Sequence, residues 1–144
     1  MPNTSTPRFI FVRHGEVDHL GELTRRGIKT VQTTAEKIKA LVGDKRVLIY
    51  SSPATRVLST TRFIKKILGA GYDIHTHMVL NHGSFWELAT LFNGLCENHP
   101  EDYIICVTHE AQLEEIMERQ GGLEEGGAVL VSGFNRYKCE YTVF

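Results

Sequence analysis

The stretch Arg8-Phe9-Ile10-Phe11-Val12-Arg13-His14-Gly15-Glu16 decides the fold and contains the first candidate site. Residues 9–12 are continuously apolar, which predicts a short strand buried on both faces of a sheet. In α/β proteins ligands bind beyond the carboxyl ends of the strands, so the residues that follow form a candidate binding site. The Arg13 guanidinium can bind an oxyanion with its planar fork, and His14 can act as a nucleophile near neutral pH. Gly15 lets a ligand approach the backbone closely.

Composition and length are those of one globular domain, with 144 residues of which 42% are hydrophobic and 23% charged. We expect a flexible tail over residues 1–7 and a single domain over residues 8–144. The net charge of −1 argues against a nucleic-acid-binding protein. No apolar segment approaches the ~18 residues that a membrane span needs. Three cysteines without CxxC spacing, and no signal-sequence pattern, predict reduced thiols in a cytoplasmic protein.

Strand and helix patterns alternate along most of the chain. The expected strands cover residues 9–12, 47–50, 73–80, 103–107, 128–132 and 137–144. The expected helices begin at the N-cap Thr24, at Ser52-Pro53, at Phe85 and near Glu110, with a loop over residues 81–84. The alternation favours an α/β fold, a three-layer α/β/α sandwich with a mainly parallel sheet. A turn over residues 133–136 indicates a closing hairpin that adds at least one antiparallel strand.

Polar residues of similar chemistry follow three of the predicted strands. Arg13 and His14 follow the first, Ser52 and Arg56 the second, and His109 the strand over residues 103–107. If these strands are parallel, their carboxyl ends lie on one edge of the sheet and the side chains converge. Two guanidiniums, two imidazoles and nearby helix N-termini suit a tetrahedral dianion such as phosphate. Each residue alone is explained by ordinary structural roles, whereas the three junctions together favour a site.

The chain resembles the histidine phosphatase superfamily, the phosphoglycerate-mutase-like group, in four motifs that occur in the same order. They are Arg13-His14-Gly15-Glu16, then Leu23-Thr24-Arg25-Arg26-Gly27, then Ser52, Arg56 and Thr60 after the second strand, and finally Thr108-His109. The resemblance implies the phosphoglycerate-mutase-like fold in a short form.

The resemblance also implies roles for the site residues. It implies a phosphohistidine intermediate on His14, with Arg13, Arg56 and His109 around the phosphoryl oxygens, and it adds Gly15 and Thr24 to the substrate-binding residues. The flanking guanidiniums disfavour protonation of His14, which keeps its lone pair available. The flanking cations neutralise charge on the transferring group, so we expect neither a metal nor a cofactor.

The proton donor is left open by the sequence. Members of the family commonly carry a glutamate in a Leu-x-Glu segment after the third strand, where this chain has Leu80-Asn81-His82. His82 is the first candidate and Glu87, reached by a small shift, is the second. Glu16 and Glu110 are also expected near the rim, and Glu110 departs from the small residue often found after the late histidine.

Three functions fit these residues. The first is a metal-independent phosphatase acting on a phosphomonoester or on protein phosphohistidine, the latter favoured because its leaving imidazole needs less acid catalysis. The second is a phosphoglycerate-mutase-type phosphotransferase, for which the chain has little room. The third is a phosphate- or phosphoprotein-binding module without turnover.

Two other groups of residues are weaker candidate sites. His75, His77 and His82 have a spacing that allows zinc, but no fourth ligand is evident and a solvated strand face is the better interpretation. Trp86 and Phe85 can form a substrate wall, although core packing is expected for residues of this type.

Overall fold

A computed structural model describes residues 8–69, 73–98, 103–118, 122–134 and 139–144. The tail expected over residues 1–7 lies outside these ranges. Six strands form one sheet in the order β3-β2-β4-β1-β5-β6. They are β1 Arg8–Arg13, β2 Val47–Ser51, β3 Ile74–Thr76, β4 Tyr103–Thr108, β5 Ala128–Phe134 and β6 Cys139–Val143. Strands β1 to β4 are parallel, whereas β5 is antiparallel to both of its neighbours. The mainly parallel sheet predicted from the sequence is therefore confirmed.

Helices cover both faces of this sheet and make three layers. They are α1 Arg25–Val42, α2 Thr55–Leu68, α3 Val79–His82, α4 Phe85–Asn98 and α5 Glu110–Met117. One face of the sheet, including Ile10, Ile49 and Ile105, packs against α1 and α2. The other face, including Phe11 and Ile104, packs against Leu80 of α3 and the apolar sides of α4 and α5. Alternate residues of the buried strands thus serve two cores, as a covered parallel sheet requires.

Helix α1 begins where the sequence predicts. Thr24 has extended backbone and its hydroxyl accepts the Gly27 N–H, which satisfies one of the free donors of the first turn. Gly27 lies in close contact with the preceding loop, since a Cβ at this position would collide with the Glu16 carbonyl oxygen. The loop after β1 is thereby held against the start of α1.

Helix α2 begins later than predicted, so the assignment of Ser52 as its N-cap and Pro53 as its first residue is wrong. The helix begins at Thr55, and Ala54 at the N-cap position makes no side-chain capping bond. Ser52 is fully buried and its hydroxyl lies 3.0 Å from His109 Nε2. It also accepts a 3.3 Å hydrogen bond from the Ala54 N–H. The hydroxyl thus acts in the site and in the turn before the helix.

The strand expected over residues 73–80 is wrong beyond Thr76, because α3 occupies residues predicted to be strand and loop. His77 Nδ1 accepts the Val79 N–H at 3.1 Å, which supports the first turn of this short helix. Leu80 is completely buried in the core below it. The hydrogen bond between His77 and Val79 and the burial of Leu80 therefore stabilise a helical turn where the alternation of polar and apolar residues predicts a strand. Part of the turn expected over residues 133–136 lies outside the described residues.

No helix in the described part of the chain combines the length and apolar character needed to cross a membrane.

Candidate functional site

The carboxyl ends of β1, β2 and β4 lie side by side at one edge of the sheet. Arg13 is in register with Thr108, and Ser51 is in register with Val107. The loops that follow are tied to β4, because the His14 N–H donates to the Thr108 carbonyl and the Ser52 N–H donates to the Val107 carbonyl. The connection after β4 runs to the opposite face from those after β1 and β2, as at the ligand-binding crevice of many α/β folds.

His14 is held in one orientation by the backbone. Its Nδ1 lies 3.0 Å from the Gly15 carbonyl oxygen. Because a carbonyl can only accept, Nδ1 carries the proton and Nε2 carries the lone pair in the neutral ring. The Gly15 N–H in turn donates to Thr60 Oγ1 at 2.9 Å. This bond ties Gly15, whose carbonyl orients His14, to α2. A Cβ on Gly15 would lie 2.6 Å from a methyl of Val31, so the position accommodates only glycine without rearrangement.

The pKa of His14 is lowered from its usual value. Burial is the largest cause, and the nearby Arg13 and Arg56 guanidiniums contribute in the same direction, while the bond to the Gly15 carbonyl opposes them. The guanidiniums that were expected to disfavour protonation of His14 are therefore a smaller cause than desolvation. The neutral, nucleophilic form of the ring therefore predominates at neutral pH.

His109 lies beside His14, with the two ring centroids 5.8 Å apart and the planes inclined by 73°. Its Nε2 lies 3.0 Å from both Ser52 Oγ and Asn81 Oδ1, and the amide oxygen requires that Nε2 donates. Its Nδ1 is left as an acceptor for Arg56 Nη2, at 3.4 Å. Burial lowers the pKa of His109 to about 4, with contributions from Arg56 and His14.

Asn81 is a site residue that sequence reasoning missed. It lies in α3, within the segment that the sequence predicts as a loop, and its amide oxygen fixes the tautomer of His109. The Ser52 hydroxyl also donates to the same oxygen at 3.3 Å. The only sequence signal for this role is the position of Asn81 beside His82, in the Leu80-Asn81-His82 segment.

The Arg13 guanidinium is already engaged by two acceptors. Its Nη1 donates to the Leu123 carbonyl at 2.6 Å, and its Nη2 makes a 3.0 Å ion pair with the Glu110 carboxylate. Its Nε is buried without a hydrogen-bond partner. The Glu110 carboxylate therefore occupies one side of the guanidinium fork that was expected to bind the phosphoryl oxygens.

Thr24 and Glu16 organise the loop between β1 and α1. The Thr24 hydroxyl donates to the Glu16 carboxylate at 2.7 Å and caps α1. Glu16 also lies 3.8 Å from the exposed guanidinium of Arg26. Both side chains thus have structural partners within the loop that carries His14.

Glu87 and His82 line a cavity of about 340 Å³ whose wall also includes His109 and Asn81. Ser84 and Glu87 form a capping box at the start of α4, in which the Ser84 N–H donates to the Glu87 carboxylate and the Glu87 N–H donates to the Ser84 hydroxyl. These bonds lower the pKa of Glu87 from its usual value. His82 lies at the end of α3, exposed to solvent.

The alternative zinc site is not assembled. Within the ranges that the structure describes, no three His, Cys, Asp or Glu side chains are grouped so that they can hold a metal ion. His75 instead stacks on Tyr50, with ring centroids 5.3 Å apart. Cys106 is buried in β4, and burial raises its thiol pKa well above the usual value, which disfavours a reactive thiolate.

Comparison with known proteins gives the family of this chain and the structures that share its fold. Residues 9–89 match the family model described as "Histidine phosphatase superfamily (branch 1)". No curated protein sequence matches the chain significantly.

Solved structures share the fold at low sequence identity. The protein histidine phosphatase SixA, in complex with tungstate, has a TM-score of 0.73 and 14% identity, with 94% of each chain covered. A putative phosphohistidine phosphatase SixA from Agrobacterium tumefaciens has a TM-score of 0.67 and 17% identity, covering 94% of this chain and 97% of its own. Phosphoserine phosphatase from Entamoeba histolytica, in complex with 3-phosphoglyceric acid, has a TM-score of 0.63 and 20% identity, covering 94% and 95%.

Proposed function

Since the chain belongs to the histidine phosphatase superfamily (branch 1), we propose that it is a metal-independent phosphatase that forms a phosphohistidine intermediate on His14. The substrate is a phosphomonoester or a protein phosphohistidine. The observation that carries this proposal is the pairing of the His14 and His109 rings, with His14 Nδ1 bonded to the Gly15 carbonyl. This bond directs the nucleophilic Nε2 lone pair away from the backbone.

Phosphoryl transfer then proceeds in two displacements. His14 Nε2 attacks phosphorus, the P–N bond forms, and the bond to the leaving group breaks with its electron pair. Water next attacks phosphorus, the P–N bond breaks, and inorganic phosphate leaves with His14 restored. Arg13 and Arg56 stabilise the charge on the transferring oxygens, which is the main catalytic contribution expected in phosphoryl transfer.

His109 contributes by positioning Arg56. Its Nδ1 accepts from Arg56 and its Nε2 is fixed by Ser52 and Asn81, so the ring holds one guanidinium beside His14. Gly15 provides the carbonyl that orients His14. Thr24 supports the loop through its contacts with Glu16 and Gly27.

We propose His82 as the proton donor to the leaving group. Glu87, the second candidate, holds the cap of α4, and its lowered pKa makes it a weaker acid catalyst near neutral pH. His82→Ala is expected to lower kcat by ~10²–10⁴ for an alkyl phosphate but much less for an aryl phosphate or a phosphoramidate. An equal loss on all three substrates would exclude the role.

The test of the phosphatase is hydrolysis of p-nitrophenyl phosphate together with trapping of the phosphoenzyme. The wild-type protein is expected to release phosphate and to carry an acid-labile, base-stable phosphoryl group. His14→Ala should abolish both, whereas His19→Ala, which changes an exposed histidine of the same loop, should retain both. Turnover without any labelled protein would contradict the intermediate.

A binding module without turnover is the second candidate, because the Arg13 fork is shared with Glu110. It predicts measurable vanadate binding and no hydrolysis of p-nitrophenyl phosphate. A mutase is distinguished by isomerised product when a bisphosphate is added.

A further inference from the structure

Two cavities adjoin one another beside the candidate site. The first, of about 340 Å³, has His109, His82, Glu87 and Glu115 in its wall. The second, of about 420 Å³, is formed mainly by Val79, Trp86 and Leu91, and Glu87 again lines it. His109, in the wall of the first cavity, lies beside His14, and Glu87 lines both cavities. We call the two cavities together the docking trough.

The first cavity has two carboxylates in its wall, those of Glu87 and Glu115. The imidazoles of His82 and His109 also line it, and its described lining residues include neither lysine nor arginine. Glu87 is kept ionised by its capping bonds, which lower its pKa. The two carboxylates repel a negatively charged group placed in the cavity. The cavity therefore disfavours a second phosphate or carboxylate on the substrate and favours a cationic side chain.

The second cavity has an apolar wall. Val79 and Leu91 are partly buried against the core that includes Phe11 and Ile104. Trp86 also lines the cavity, and 56% of its surface is exposed. The expectation that Trp86 packs in the core is therefore wrong. Exposed aromatic side chains of this size are enriched where proteins contact one another. A small metabolite that occupies the site at His14 and the first cavity would make no contact with this second cavity.

We infer that the docking trough receives a segment of a phosphorylated polypeptide. The phosphorylated side chain of this segment reaches His14. A neighbouring lysine or arginine lies between Glu87 and Glu115, and an apolar side chain further along the segment packs against Trp86. This inference rests on the proposed function, since it names the class of substrate for the same site. The charge of the first cavity and its continuity with His109 favour this occupant over a small polyanion.

The test uses three synthetic peptides of equal length, each phosphorylated on a single histidine with phosphoramidate. One has lysine and leucine near the phosphorylated residue, the second has glutamate in place of the lysine, and the third has serine in place of the leucine. The first is expected to have a kcat/KM at least tenfold above the other two, with the difference in KM. Equal rates for the three peptides would overturn the inference.

Two variants separate the parts of the docking trough. Trp86→Ala should raise KM for the lysine–leucine peptide about tenfold, which corresponds to ~1.4 kcal/mol, and should leave p-nitrophenyl phosphate hydrolysis unchanged. Glu115→Lys, which leaves one carboxylate and one ammonium group in the wall, should abolish the preference for the lysine peptide over the glutamate peptide. Glu36→Lys, the same charge change on the exposed side of α1, should alter neither. Absence of p-nitrophenyl phosphate hydrolysis by the wild-type protein would refute the proposed phosphatase activity. Hydrolysis without peptide selectivity would refute only the docking trough.

Discussion

The ion pair between Arg13 and Glu110 is expected to weaken binding of phosphate to the site. The two side chains meet at 3.0 Å, with the arginine side chain 17% and the glutamate side chain 45% exposed. A phosphoryl group that binds Arg13 must either displace the Glu110 carboxylate or lie next to it. Glu110→Gln keeps the shape of the side chain and removes its charge, so the substitution isolates this competition.

The size of the effect follows from the position of Glu110 at the rim. Two unit charges ~5 Å apart repel by ~0.8 kcal/mol in water and by ~3 kcal/mol at an effective dielectric constant of ~20. Because Glu110 is nearly half exposed, the lower part of this range applies, as it does for exposed ion pairs. We take ~1 kcal/mol, which makes phosphate and vanadate bind about fivefold more tightly to the variant.

The assay is competitive inhibition of p-nitrophenyl phosphate hydrolysis by phosphate and by vanadate, at low and at high ionic strength. The ratio of inhibition constants between wild type and Glu110→Gln should shrink as salt rises, because exposed charges are screened. Glu36→Gln is the control for loss of a distant surface charge. An unchanged or weaker affinity in Glu110→Gln would refute the idea that the carboxylate competes with the phosphoryl group.

The remaining predictions concern acidity and packing. The acid limb of the kcat/KM profile should lie below pH 6.5, because the lowered pKa of His14 keeps the nucleophile unprotonated there; a limb above pH 7 would contradict this. His109 has a folded-state pKa of about 4 against a usual 6.5, so the unfolded chain binds the extra proton and stability falls as pH drops from 6.5 to 4. His109→Asn should flatten this loss, on the order of 1–3 kcal/mol, in urea unfolding at several pH values, whereas His19→Asn should not. Gly27→Ala should cost ~1–3 kcal/mol through collision with the Glu16 backbone and should lower the thermal midpoint, and an unchanged midpoint would show that the loop yields freely.

The strands that build the site were predictable because their signals are local. The apolar runs of β1, β2 and β4 require a sheet covered on both faces. Because these three strands are parallel neighbours, their carboxyl ends lie together at one edge of the sheet. The convergence of His14 and His109 follows from these local signals, and in the structure the two ring centroids lie 5.8 Å apart. Thr24 as the cap of α1 was equally local, since a threonine before an amphipathic stripe is a common start of a helix.

The features that sequence reasoning missed depend on partners distant along the chain. Ser52 has the sequence context of a helix cap, yet its hydroxyl contacts His109, 57 positions away. Asn81 became part of the site only because α3 replaces a predicted strand end and loop. Trp86 is exposed because the wall it forms faces a cavity rather than the core. Periodicity describes which residues are apolar, but it does not contain these long-range contacts.

The exposed side of α4, which carries Trp86 and Glu87, has a consequence for evolution within this fold. Strand ends at the centre of a sheet are fixed by hydrogen bonds on both sides, so their side chains tolerate little change. Leu88 and Phe92 anchor α4 in the core, whereas more than half of the Trp86 surface is exposed, so its replacement opens no cavity there. Related chains can therefore vary the outer surface of this helix while the core and the residues beside His14 stay as they are.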